Sequence, residues 1–380
     1  MNFIRHLMDV TAVMQLPKSY RKIVFYSEGQ AYWVHLEGIL TEFLSQTNTP
    51  VCYITSGQDD PGLCYEHPNL RSFKIDDGGC RNWLFKNIDT DVMVMTMPDL
   101  EKHQVKRSKH PVHYVYVQHS LVSLHMVYRK GAFDHFDTIF CAGPHQVREV
   151  RAIEKKYQLP QKGVVEHGYG RLDAIIENRK TREPKLPNNP KQILIAPSWG
   201  EYSLIETVGD QVVSHLLENG FHVILRPHPQ TVKLAKIQLE SILRQYKNNS
   251  NFELEVNFSS QDSLHRSDLM ISDWSGAALD YSFGLGKPVL FIDVPRKVNN
   301  PEYESINMEP FEIWIRNKIG KIHSVEALDS LSRSVDDLLS VEKHTDYESL
   351  IECNVFNAGI SSRIGAEYLI EALAKSVKTR

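Results

Sequence analysis

The side chains able to do chemistry recur at one kind of place in this sequence, immediately after short apolar runs. Reading past each run gives Ser27-Glu28, Ser56-Gly57, Gln118-His119-Ser120, His167-Gly168, Pro197-Ser198-Trp199, Arg226-Pro227-His228-Pro229 and Ser272-Asp273-Trp274-Ser275-Gly276. In open parallel sheets, ligands bind outside the carboxyl ends of the strands, where loops and helix N-termini meet. His119 follows VHYVYVQ and has the side chain most suited to deprotonate a hydroxyl near neutral pH; the alternative is a hydrogen-bonded structural histidine. RPHP can aim the Arg226 cation and the His228 imidazole at a phosphate or diphosphate, or it can be a rigid turn whose arginine pairs with a carboxylate. In ISDWSGAALDYSFGLGKPVLFID the order is strand, polar turn and a helix from near Trp274. Helix N-termini expose unpaired amides and the positive end of the dipole, so Ser272, Ser275 and Gly276 flank an anion seat, with Ser198 at the end of another strand. Asp273 is either part of that seat or the N-cap of the helix, and Asp280, two turns along, is placed to reach a ribose or acceptor hydroxyl.

These positions require two series of strands separated by helices, the pattern of parallel sheets covered on both faces. The first series reads Ile23–Tyr26, Val51–Thr55, Val92–Thr96, Val112–Val117, Thr138–Cys141 and Val164–Glu166. The second reads 192–198, 221–229, 252–256, 268–272 and 288–293, with helices over Leu204–Asn219 and Val232–Tyr246. Between them, NRKTREPKLPNNPKQ places Pro184, Pro187 and Pro190 among charges with almost no apolar residue, the composition of a linker. The expected architecture is α/β, two doubly wound Rossmann-like domains facing across a cleft. Residues 1–178 form an acceptor-side domain, 179–191 a linker and 192–345 a nucleotide-donor domain, and residues 346–380 form helices able to pack back on the first domain. After Asn317 the pattern reads as helical throughout.

Composition removes several alternatives. With 380 residues, 42% hydrophobic and 24% charged, the chain has material for two ordinary cores. A net charge of −4 is unlike a general nucleic-acid binder, so no nucleic-acid partner is expected. No apolar run approaches the ~20 residues of a membrane span, and Arg5, His6 and Asp9 interrupt the N-terminal stretch, so a cytoplasmic protein is expected. Arg5, Lys18, Arg21 and Lys22 offer at most peripheral contact with the anionic inner face of the cell membrane. Five cysteines without a CxxC pair fit reduced thiols, and the six-residue spacing of His113, His119 and His125 matches no metal-ligand pattern, so neither metal nor cofactor is expected. Asp89-Thr90-Asp91 precedes its strand and lies at the wrong sheet edge for a metal-binding DxD; Gly168-Tyr169-Gly170 lacks a dinucleotide fingerprint's third glycine. Neither a GxxxxGK[ST] loop nor a GxSxG elbow occurs.

Taken in order, QHSLVSLH, HGYGRLD, LIAPSWGE, LRPHP and SDWSGAALDYSFGLGKPVLFID resemble the successive motifs of the CDP-glycerol glycerophosphotransferases of the teichoic acid polymerase and primase type. The resemblance spans roughly residues 110–315 and implies a two-domain GT-B fold. It implies transfer of a polyol phosphate from CDP-glycerol or a related CDP-polyol to a hydroxyl of a glycan or lipid-linked polymer, with release of CMP. By motif position His119 would be the catalytic base and His228 would contact donor phosphate, with Arg226, Ser198, Ser272, Asp273, Ser275 and Gly276 lining the donor site. The sequence departs from the family's pattern at Gln118-His119-Ser120, Gly168-Tyr169-Gly170-Arg171 and Trp274-Ser275-Gly276. Two other readings stand beside it, a GT-B glycosyltransferase using a nucleotide-sugar in surface polysaccharide synthesis and a binding protein without catalysis.

Overall fold

Short runs of Val, Ile, Phe and Tyr between helices leave strands buried on both faces, and the computed structural model arranges them as two separate parallel sheets. The structure describes residues 2–103, 105–183, 189–257, 260–340 and 345–378. The first sheet contains β1 (Ile23–Ser27), β2 (Val51–Thr55), β3 (Leu70–Lys74), β4 (Val92–Met95), β5 (His113–Val117), β6 (Thr138–Cys141) and β7 (Gly163–Glu166), in the order β3-β2-β1-β4-β5-β6-β7. The second contains β8 (Gln192–Ile195), β9 (His222–Leu225), β10 (Phe252–Leu254), β11 (Leu269–Ser272), β12 (Val289–Ile292) and β13 (Gly320–His323), ordered β10-β9-β8-β11-β12-β13. Pairing is parallel throughout: Ile23 lies opposite Val51 and Val92, and Met270 opposite Leu194 and Val289.

The chain divides into two compact units. One comprises Met1–Ser120, Tyr128–Ala174 and Asn354–Arg380, the other Leu121–Val127 and Ile175–Cys353. In the first unit, Ile23, Phe25, Val94 and Val115 of the sheet pack with Leu36, Leu40 and Phe43 of the Gln30–Gln46 helix. The C-terminal helix Ser361–Lys378 lies against that helix and adds Ala366 and Leu369 to the same core. In the second unit, Ile193, Val223, Leu269 and Leu290 pack with Val212 and Leu216 of the Gly209–Glu218 helix. Each such fully buried aliphatic side chain contributes roughly 1.5–3 kcal/mol. Leu121–Val127 joins the second unit through hydrogen bonds: Ser123 N and Oγ both donate to Glu312 Oε1 at 3.1 Å, and Asn300 Nδ2 donates to the His125 carbonyl at 2.9 Å.

Two strands depart from the sequence expectation. β3 was not anticipated, and β13 falls where the pattern after Asn317 read as helix. Both are edge strands, paired on one side only, and their LRSFK and GKIH sequences carry the polar residues that an edge tolerates and an apolar-run criterion misses. The expected Leu204–Asn219 helix is two pieces, Leu204–Thr207 and Gly209–Glu218, and the RPHP strand ends at Leu225 with a short helix beginning at Pro229. Of the linker, Pro184 and Pro187 lie outside the described residues. The side chain of Arg5 also lies outside them, while Lys18 pairs with Asp89 at 2.8 Å and Arg21 Nε donates to the Leu16 carbonyl at 2.9 Å. No described helix is long and apolar enough to cross a membrane.

Candidate active site

In the first unit the site is built where β1, β4 and β5 end. β5 delivers His119, two residues past Val117, and phenols enclose its ring. Nδ1 lies 3.0 Å from the Tyr116 hydroxyl and Nε2 lies 3.3 Å from the Tyr128 hydroxyl. The Tyr169 hydroxyl donates to the His119 carbonyl at 3.0 Å, which fixes the backbone that carries the ring. Tyr32 and His35, both from the Gln30–Gln46 helix, approach with ring centroids at 5.7 and 6.1 Å. Burial pushes the His119 pKa down to about 4 against the opposing effect of a hydrogen bond to the Thr96 backbone, so the imidazole is neutral at pH 7. A neutral imidazole has one donor and one acceptor nitrogen, and a tyrosine hydroxyl serves either, so both tautomers can be satisfied.

The other histidines singled out in the sequence go elsewhere. His113 Nε2 lies 3.0 Å from Thr138 Oγ1, and His125 Nε2 lies 3.2 Å from the Met308 carbonyl in the second unit. His167 is buried against Phe140, ring centroids 4.8 Å apart, and burial holds its pKa at about 4. Among the described residues no group of three or more His, Cys, Asp or Glu is placed to hold a metal ion.

In the second unit the site forms at the ends of β8, β9, β11 and β12. Asp273 is fully buried and accepts from Ser198 N at 2.6 Å and Leu204 N at 3.0 Å, tying the β8 loop to the end of β11. It is not the helix cap. The helix runs Gly276–Leu285, and Ser275 is its N-cap, accepting from Ala277 N at 3.3 Å. Ser272 Oγ donates to the Ala196 carbonyl at 2.8 Å, and Asp280 is buried within the unit at 5% exposure. Arg226 Nη1 donates to Glu255 Oε2 at 3.3 Å, the Ser260 carbonyl at 2.9 Å and Ser263 Oγ at 3.0 Å, so this nitrogen holds the turn together. One of the two arrangements open to RPHP, an arginine paired with a carboxylate, is present at this nitrogen.

His228 caps the Pro229–Leu234 helix by accepting from Gln230 N at Nδ1, 3.1 Å, which sets the neutral ring's proton on Nε2 and makes that edge a donor. Trp199 lies beside it, ring centroids 6.0 Å apart, and Lys297 Nζ stands 4.3 Å over the Trp199 ring. Burial lowers the Lys297 pKa to about 8 despite the opposing charge of Asp273. Arg316 stacks 3.9 Å from the Trp274 ring centre and pairs with Asp293 at 3.2 Å, while Trp274 Nε1 donates to the Val294 carbonyl at 2.9 Å. Lys297 and Arg316 were not among the sequence candidates. The criterion that found the others, reading past each apolar run, would have reached Lys297 had it been extended beyond Ile292 through DVPRK.

Two parallel Rossmann-like sheets with polar residues gathered at their carboxyl edges define a GT-B protein. Solved structures of the wall teichoic acid polymerase TagF share this fold: one matches with a TM-score of 0.62 at 14% identity, covering 99% of this chain and 98% of that one. UDP-GlcNAc 2-epimerase from Methanocaldococcus jannaschii, in complex with UDP-GlcNAc and UDP, matches with a TM-score of 0.56 at 12% identity, over 92% of this chain and 99% of that one. S. aureus MnaA, in a co-structure with UDP, matches with a TM-score of 0.57 at 9% identity, over 94% and 97% of the two chains. No curated protein matches in sequence. Residues 129–297 match the sequence model of the family CDP-Glycerol:Poly(glycerophosphate) glycerophosphotransferase. The matched segment contains His228 and the turn before the Gly276–Leu285 helix; His119 lies ahead of it.

Proposed function

We propose that the protein transfers a polyol phosphate, glycerol phosphate first among the candidates, from a CDP-alcohol to a hydroxyl of a teichoic-acid-like or other cell-envelope glycan, releasing CMP. The observation that carries this reading is the neutral His119 imidazole at the end of β5, a proton acceptor that burial keeps uncharged at working pH. His119 takes the proton of the acceptor hydroxyl as its oxygen attacks the phosphorus bearing the polyol. The phosphorus–oxygen bond to the CMP moiety breaks, and its electron pair leaves on CMP. The His228 Nε2 proton, Lys297 and the amides at the start of the Gly276–Leu285 helix supply positive potential for the leaving phosphate. Arg226 supports the turn that presents His228. With this charge supplied by the protein, turnover needs no added metal, and activity persists in excess chelator. The reaction belongs to the cytoplasmic side, where CDP-alcohols are made, with peripheral membrane contact if the acceptor is lipid-linked.

The test is to incubate the purified chain with CDP-glycerol, CDP-ribitol and several UDP-sugars and to identify the nucleotide released. CMP supports phosphoryl transfer. UDP from a UDP-sugar supports the glycosyltransferase reading, which the fold shared with UDP-binding structures keeps in play. Tight binding without release of any nucleotide would leave only a binding protein.

A further inference from the structure

One acidic group at the first unit's site has no part in the reaction as written above. Glu28 follows β1 directly and is half-buried, and Thr96 Oγ1, just past β4, donates to its Oε2 at 3.5 Å. Thr96 also engages the His119 ring through its backbone, so one residue joins the carboxylate to the imidazole. The backbone is shaped for this approach. Gly29 has φ +147°, and a Cβ added there would meet Gly57 Cα at 3.3 Å, so the loops after β1 and β2 close on each other beside Glu28. The titratable and charged groups facing Glu28 are Arg81 from the Gly79–Asn87 helix, Tyr32 from the Gln30–Gln46 helix, Tyr26 of β1 and Tyr116 of β5. An ionised carboxylate only accepts hydrogen bonds, and a hydroxyl-bearing ligand is the donor that suits it.

We infer that Glu28 is an acceptor-positioning residue: it takes a hydrogen bond from one hydroxyl of a polyhydroxy acceptor while His119 deprotonates a neighbouring hydroxyl. The inference rests on the reading of His119 as base and adds the substrate class, a diol or higher polyol in place of a simple alcohol. Burial pushes the Glu28 pKa up to about 7, with Arg81 and the Thr96 hydroxyl opposing, whereas His119 lies at about 4. An acidic limb near neutrality in the pH profile therefore belongs to the carboxylate, and a limb far below it to the imidazole.

The test compares the wild-type chain with Glu28→Gln, an isosteric change, using CDP-glycerol as donor and glycerol or 1-propanol as acceptor probes. For wild type, kcat/KM for glycerol falls as pH drops through about 7, and glycerol is preferred over 1-propanol by about tenfold, the worth of one hydrogen bond to a charged group. In Glu28→Gln the limb near neutrality disappears, the preference collapses towards unity, and the KM for CDP-glycerol is unchanged. Thr96→Val, which removes a hydroxyl that stabilises the ionised form, moves the limb upward. A Glu28→Gln enzyme that keeps both the limb and the preference overturns the inference. If no variant or probe releases CMP, the functional reading fails, and glycerol binding measured by saturation-transfer NMR at about pH 6 and about pH 8 then decides. Binding that strengthens at the higher pH in wild type but not in Glu28→Gln supports the carboxylate's role; binding indifferent to both overturns it.

Discussion

At the end of β5 a neutral imidazole sits among tyrosine hydroxyls, and at the end of β11 a buried aspartate binds backbone amides beside a helix N-terminus. The same feature of parallel sheets, polar groups at the carboxyl edge, gathers different kinds of side chain in the two units. In the first, titratable side chains have pKa values moved by burial: His119 down to about 4, His35 well below its usual range, Glu28 up to about 7. In the second, positive potential comes from backbone dipole and cations held over indole rings, Lys297 on Trp199 and Arg316 on Trp274. Proton transfer, proposed for the first unit, needs a group that can take up a proton, whereas anion binding, proposed for the second, needs positive charge, which Lys297 still mostly carries at pH 7 with its pKa lowered to about 8.

The sharpest way to break this contrast is to remove the proton acceptor. His119→Ala should lower turnover by roughly 10²–10⁴-fold, the usual contribution of a general base, with CDP-glycerol affinity unchanged by calorimetry. His228→Ala should weaken CDP-glycerol binding as well as turnover, and equal donor affinities in the two variants would erase the distinction. Next in size is Asp273→Ala, which strands two buried amides. At about 1–3 kcal/mol for each, the second unit should lose roughly 2–6 kcal/mol, read as a shift in its urea midpoint. An unchanged midpoint would mean that solvent replaces the carboxylate.

The histidines also set a pH dependence. His35, His119 and His167 are uncharged in the folded chain well below the ordinary histidine pKa, so between about pH 6.5 and 4 the unfolded chain binds protons that the folded chain refuses. Stability is therefore lost as pH falls through that window, partly offset by Glu28, which binds its proton more tightly when folded. The first unit should lose on the order of 1–3 kcal/mol per pH unit, measured by denaturant titration at pH steps, with little loss above about pH 7. Smallest is Ser275→Ala, which removes an N-cap and should lower stability by about 1 kcal/mol with a modest rise in the KM for donor.

Much of this site was legible because strand ends are local features. His119, His228, Ser198, Ser272, Ser275 and Gly276 all follow apolar runs that became strands, and the helix expected from near Trp274 begins at Gly276. The roles of Asp273 and Arg226 were not legible. Whether Asp273 caps its own helix or reaches across to Ser198 depends on how closely β8 lies to β11, and Arg226 finds Glu255 only because β10 pairs with β9. The edge strands β3 and β13 escaped for a related reason, since their polar residues are tolerated by position in a sheet whose order no local pattern states.

Sequence by itself determined the α/β class and the two series of strands, because strands buried on both faces must be written as apolar runs of short, countable length. It also determined which polar residues stand at the strand ends. Tertiary structure alone decided the strand order, the return of the Ser361–Lys378 helix onto the first core and the enclosure of His119 by Tyr116, Tyr128 and Tyr32. It decided as well that Glu28 and His119 share Thr96. A pKa depends on how much water is excluded around a group, and that exclusion is made by residues distant in the chain, so the chemistry of these side chains is fixed only when the sheet is assembled.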